Sequence, residues 1–125
     1  MYFSDAYHAI SFYKTNSPVR LNRLNLLDLD ERSNRNVDAA DVYGAIVICL
    51  KNLYLLHNAE ENGIFKIYHM QEQRFSAEQI AAMHSCSVRK VYKLLRKMRD
   101  ALEEELERHD LMYPDEQRTT SKTVH

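Results

Sequence analysis

The most regular spacing of apolar positions lies in the C-terminal third of the chain. Val88, Val91, Leu95, Met98, Leu102 and Leu106 recur at three- and four-residue steps, the period of one helix face. This predicts a helix over 87–108, with Ser87 as its cap. A second stripe, Val42, Ile46, Cys49, Leu50, Leu53 and Leu56, predicts a helix over 38–58. Val47 and Ile48 widen that stripe, which suits a central helix, and the Asp38 carboxylate can cap it by accepting from first-turn amides. Asn58 and Gly63 predict a break. Ile64, Phe65, Ile67 and Tyr68 then supply the packing face of a helix over 64–72.

The sharpest start signal is Ser76 followed by Gln79. In a capping box the hydroxyl accepts from the third helical amide, and the Gln side chain reaches back to the cap amide. Phe75 and Ile80 occupy the two positions of a hydrophobic staple. A helix over 76–84 follows, then the three residues "SCS", then the striped helix. A short capped helix, a tight turn and a second capped helix form a helix-turn-helix, here over 76–98. Small Ala81 is placed where the two helices touch, and Val91 packs back across from the second. Ile80, Met83, Cys86 and Leu94 or Leu95 are expected to fill the rest. Ser85 holds the turn position that favours glycine, because its backbone takes positive φ; a serine there costs about 1 kcal/mol.

The remaining segments are less periodic. Residues 1–13 are aromatic-rich and permit a short helix, while "TNSPVRLNRLNLLDLDERSNRN" reads as irregular and partly basic. The expected organisation is an N-terminal segment, 1–37, then a helical domain, 38–112, and a polar, disordered tail, 113–125. Two Gly, two Pro and no Trp in 125 residues agree with an all-α fold.

Composition limits the function classes. Formal net charge is −1, so only local charge can point to a partner. The longest apolar run, "VYGAIVICLKNLYLL", is broken by Lys51 and Asn52 and falls short of the ~20 apolar residues a bilayer requires. No secretory leader is evident. A cytoplasmic protein without membrane contact, its Cys49 and Cys86 kept as free thiols, is expected. Neither the cysteines nor His57, His69 and His109 match a metal-ligand spacing. Asp38 and Asp41 read as helix-start charges, and His84 as a packing residue. With no nucleophile–base set, P-loop or Gly-rich phosphate loop, an enzyme is not expected, and no cofactor or metal is implied.

Local charge does point somewhere. From Arg89 to Arg99 the last helix carries six bases and no acid; from Asp100 to Glu107 it carries five acids and no base. With the stripe inward, Arg89, Lys93, Arg96 and Lys97 fall outward. The front end of a recognition helix meets base edges in the major groove, so Ser87, Val88, Arg89, Tyr92 and Lys93 are base-edge candidates. Arg89 suits guanine and Val88 a thymine methyl. Lys90, Arg96, Lys97 and Arg99 are candidates for phosphate. Glu103, Glu104, Glu105 and Glu107 belong to a half that leaves the DNA and packs on the first helix or faces a protein. A basic run alone is more often a solvated face; it is the coincidence with the capping box and the Ala81/Val91 spacing that favours double-stranded DNA as partner.

In order and spacing, "DAADVYGAIVICL", "GIFKIYHM" and "IAAMHSCSVRKVYKLLRKM" resemble the phage antitermination protein Q family, over roughly half of the chain. "FSAEQIAAMHSCSVRKVYKLL" also resembles region 4 of sigma factors and related small phage or plasmid regulators. The Q resemblance implies a protein that binds DNA near a late promoter, joins paused bacterial RNA polymerase and carries it past terminators, in the cytoplasm of a bacterial host. It transfers Ser87, Arg89, Lys93 and Arg96 as DNA candidates and marks no polymerase face. The alternatives are a sigma region 4-like repressor or activator, and a helical adaptor forming a homodimer through the 91–106 stripe.

Overall fold

A computed structural model describes residues 2–16 and 31–114 of the chain. In chain order the helices are α1 (Ala6–Thr15), α2 (Glu31–Leu55), α3 (Ala59–His69), α4 (Ala77–Met83) and α5 (Val88–Arg108). Among the described residues the only β feature is one parallel bridge between Phe3 and Met112, so the fold is all-α. The irregular stretch expected before Glu31 and the tail after Pro114 lie outside the described residues.

Several expected boundaries move. The second helix begins at Glu31, not Asp38: no Pro or Gly stands between 31 and 43 to stop it, and Asp38 lies inside the helix instead of capping it. That helix ends at Leu55, which leaves Leu56 exposed although the stripe had placed it inward. Asn58 does not belong to the second helix. It caps α3: its side chain accepts from Glu61 N at 2.8 Å, and Glu61 Oε1 accepts from Asn58 N at 3.0 Å. The break is therefore only three residues long, and Gly63 sits within α3.

Every expected start signal at the C-terminal end forms. Ser76 and Gln79 exchange both capping-box hydrogen bonds, and Ser87 accepts from Lys90 N at 3.1 Å. The exits of α4 and α5 share one design. After α4, Cys86 N donates to Ala81 O and Ser85 N to Ala82 O, with Ser85 at φ 51°. After α5, Leu111 N donates to Leu106 O and Asp110 N to Glu107 O, with Asp110 at φ 60°. Each satisfies the last carbonyls by the paired bonds of a Schellman motif, using a non-glycine residue in the left-handed region.

Burial falls into two clusters. The larger joins Phe3, Ala6, Ala9 and Ile10 to Ile46, Cys49, Leu50 and Leu53, then to Phe65, Met98, Leu102, Leu106, Leu111 and Met112. The smaller joins Ile64, Ala77, Ile80, Ala81, Val91 and Leu95. Phe3, Ala6, Ala9 and Ile10 thus belong to the core. Glu103 accepts from Ala6 N at 3.0 Å and places a carboxylate at the positive end of α1. Tyr13 and Tyr43 stack at 5.1 Å between α1 and α2. The stripe of α5 is spent on this core: Val91, Leu95, Met98, Leu102 and Leu106 are all buried within the chain, so it is not available for the homodimer the pattern had offered.

Ser85→Gly relieves the left-handed strain without removing a capping bond and should raise unfolding stability by about 0.5–1 kcal/mol, read by urea denaturation. His69 is buried among Tyr7, Phe65 and Tyr68. Burial first, and Lys14 second, push its pKa down to about 4. The unfolded chain then binds the extra proton between pH ~6.5 and ~4, so His69 contributes full stability above that window and loses it as pH falls through it. His69→Gln should flatten the pH dependence of the urea midpoint over that window.

Candidate nucleic-acid interface

The short α4, its turn and the front of α5 pack through small and branched side chains. Ala77, Ile80 and Ala81 stand at i, i+3 and i+4 on one face of α4 and meet Val91 and Leu95 in the smaller cluster; Phe75, Cys86, Val88 and Leu94 close its edge. Ala81 and Val91 are 4% and 0% exposed. Met83 is not part of this interface. Two residues beyond Ala81 on a helix, it points to the other side and is 52% exposed.

This packing sends one face of α5 outward. Arg89, Tyr92, Lys93 and Arg96 are exposed, and the three bases make no ion pair among the described residues. Tyr92, whose ring suits a core equally well, is 54% exposed. The other candidates are differently placed. Ser87 is engaged as the α5 cap, and Val88 is half-buried against the smaller cluster. Lys90 pairs with Glu60 at 3.1 Å, and Lys97 with Glu61 at 2.5 Å. Glu61 is buried, and its carboxyl is held below the usual range, first by the Lys97 hydrogen bond and then by the Asn58 amide. Arg99 is partly buried against Asp100 at 3.2 Å and faces Tyr7. The six bases of the front half therefore divide into three that are unpaired and three that tie α5 to its surroundings.

The acidic half divides too. Glu104 and Glu107 are exposed. Glu103 and Glu105 are each 6% exposed; Glu103 accepts from Ala6 N at the start of α1, and Glu105 bonds Arg108 and Asn52. Glu103 thereby reaches α1 and Glu105 reaches α2. Nothing in a run of glutamates distinguishes them, because what separates them is which neighbour each one meets.

A groove beside the basic face is lined in part by Tyr7, Lys14, Tyr68, Arg74 and Tyr92. Beside Tyr92 it adds two bases, one acid (Glu78) and the rings of Tyr7 and Tyr68 next to the exposed side of α5. No sequence motif reveals it, since its residues come from α1, α3, the α3–α4 connection, α4 and α5.

No family model, curated protein or solved structure matches the chain. Function therefore rests on the placement and charge of these side chains. Among the described residues no helix is long and apolar enough to cross a membrane. Away from the basic face, at the other end of α5, Cys49, Glu105 and His109 come together as a set of metal-ligating groups.

Ala81→Glu forces a carboxylate between α4 and α5 where neither space nor a partner exists. It should cost several kcal/mol, seen as a large fall in the thermal midpoint. An unchanged midpoint would remove Ala81 from the interface.

Proposed function

We propose that the protein is a DNA-binding transcription regulator in which α4, the Ser85 turn and α5 act as a helix-turn-helix. The observation that carries this reading is the set of three bases, Arg89, Lys93 and Arg96, exposed on the outward face of the helix that follows the turn and without an ion pair among the described residues. A helix presented by its N-terminal half fits the major groove. Arg89 and Lys93, one turn apart, reach base edges. Tyr92 flanks them and can contact a base or sugar. Arg96 meets phosphate. Lys90 and Lys97 remain near the backbone, but their glutamate partners already neutralise much of their charge. The work is binding alone, with no enzymatic step.

Within this class the resemblance to the antitermination proteins supports RNA polymerase as second partner and terminator read-through as the output, in a bacterial cytoplasm. Glu104, which pairs with Arg108 at 3.8 Å, and Glu107 are exposed beyond the basic half and present their acidic groups to a protein. If DNA binding holds but read-through does not, the protein is a repressor or activator of the sigma region 4-like kind.

Anisotropy titrations on duplex DNA over a salt series test the first step. Arg89→Ala should cost about 1–3 kcal/mol on the preferred site and relax base preference there. Arg96→Ala should weaken all duplexes alike and reduce the salt slope by about one unit. Lys97→Ala should reduce it by less, since Glu61 competes for that charge. Equal, sequence-independent losses for all three would remove Arg89 from the base edges. The paired change Glu104→Gln, Glu107→Gln leaves the buried glutamates in place. It should preserve or tighten DNA binding and lower read-through by purified RNA polymerase; unchanged read-through would exclude these two residues from the polymerase contact.

A further inference from the structure

The sulfur of Cys49, a carboxylate oxygen of Glu105 and a ring nitrogen of His109 all lie within 4.8 Å of one another. Cys49 comes from α2; Glu105 and His109 come from one face of α5 and its exit, four residues apart. Donors in a tetrahedral shell at ~2.0–2.3 Å from a metal stand roughly 3.5 Å from each other, so the three need to close by about 1 Å. Glu105 Oε2 and His109 Nε2 are already at 3.9 Å. The His109 side chain is 32% exposed, at the surface end of the cluster; Cys49 is fully buried.

We propose that Cys49, Glu105 and His109 form a binding site for a borderline-soft divalent cation of the zinc class, with water as the fourth ligand. A thiolate, an imidazole and one carboxylate match such an ion and not magnesium or calcium, which take oxygen donors. The carboxylate is also held as metal-binding carboxylates are, by outer hydrogen bonds. Arg108 Nη1 donates to Oε1 at 2.5 Å, which leaves Oε2 toward the other two donors, and Asn52 Nδ2 donates to Oε2 at a long 3.3 Å. Burial and the neighbouring Glu105 keep the metal-free thiol protonated, with its pKa pushed up to about 11. A cation takes the place of that proton and releases it to solvent. Bound there, the ion ties the far end of α5 to α2. Sixteen residues separate Glu105 from Arg89, about 24 Å along a helix, so the site is independent of the proposed DNA face.

Cobalt(II) is the probe, titrated into the full-length, untagged, reduced protein and followed by absorbance. The expected result is a thiolate-to-cobalt charge-transfer band that saturates at one ion per chain and is bleached by zinc. The thermal midpoint should rise with zinc concentration, as for any ligand that binds only the folded chain. The band should vanish in Cys49→Ser, survive in Cys86→Ser, and weaken at least tenfold in apparent affinity in His109→Ala. His109→Ala is the deciding variant, because a surface ring can be removed without opening the core; circular dichroism checks that it is folded. Absence of the band, its survival in Cys49→Ser, its loss in Cys86→Ser, or wild-type affinity in folded His109→Ala would each overturn the site.

Discussion

The structure depends on one helix belonging to two cores. Val91 and Leu95 lie in the smaller cluster; Met98, Leu102 and Leu106 lie in the larger. Each such side chain contributes on the order of 1.5–3 kcal/mol when fully buried, so neither half of α5 can turn about its axis without losing contacts at both ends. Because the stripe is fixed, the face opposite is fixed as well. Arg89, Lys93 and Arg96 point outward as a consequence of where Val91, Leu95 and Met98 point inward. A presented basic face is useful to a DNA-binding protein only if it does not wander, and the shared stripe supplies that rigidity without any contact on the face itself.

Charge is arranged around this rod according to who needs it. The first turn of α3 carries Glu60 and Glu61, which favour that helix end and also hold Lys90 and Lys97. The exposed Lys90–Glu60 pair contributes little by itself. The Glu61 pair matters more, because a buried carboxylate left without its lysine is expensive. At the other end, Glu103 and Glu105 do comparable work toward α1 and α2. The sign change along α5 is therefore two things at once: an outward-facing difference, bases then Glu104 and Glu107, and an inward-facing set of ties that hold helices together.

Particular elements show why some of this was legible in the chain and some was not. The capping box at Ser76, the cap at Ser87 and the left-handed Ser85 are local, since each needs only residues within a turn of helix, and all three formed as read. The Asn58–Glu61 box is just as local; it was obscured by taking Asn58 and Gly63 together as one long break, although a glycine inside a helix costs only about 1 kcal/mol. The start of α2 was placed too late because a good cap residue, Asp38, is not a stop signal for a helix already under way. Met83 was assigned to the interface by its apolar character alone, while its angle to Ala81 sends it outward.

Helix period and capping act over a few residues, so the sequence was enough for the all-helical class, the last two helices with their caps, and the face of α5 that turns outward. The packing of the helices settled which bases find an ion-pair partner among the described residues, that α1 completes the core, and that Glu103 and Glu105 are buried. It alone brought Cys49 to Glu105 and His109, over more than fifty residues of chain. Such outcomes depend on which helix lies beside which, and that is set by the summed burial of side chains distant in sequence, a quantity no local spacing carries.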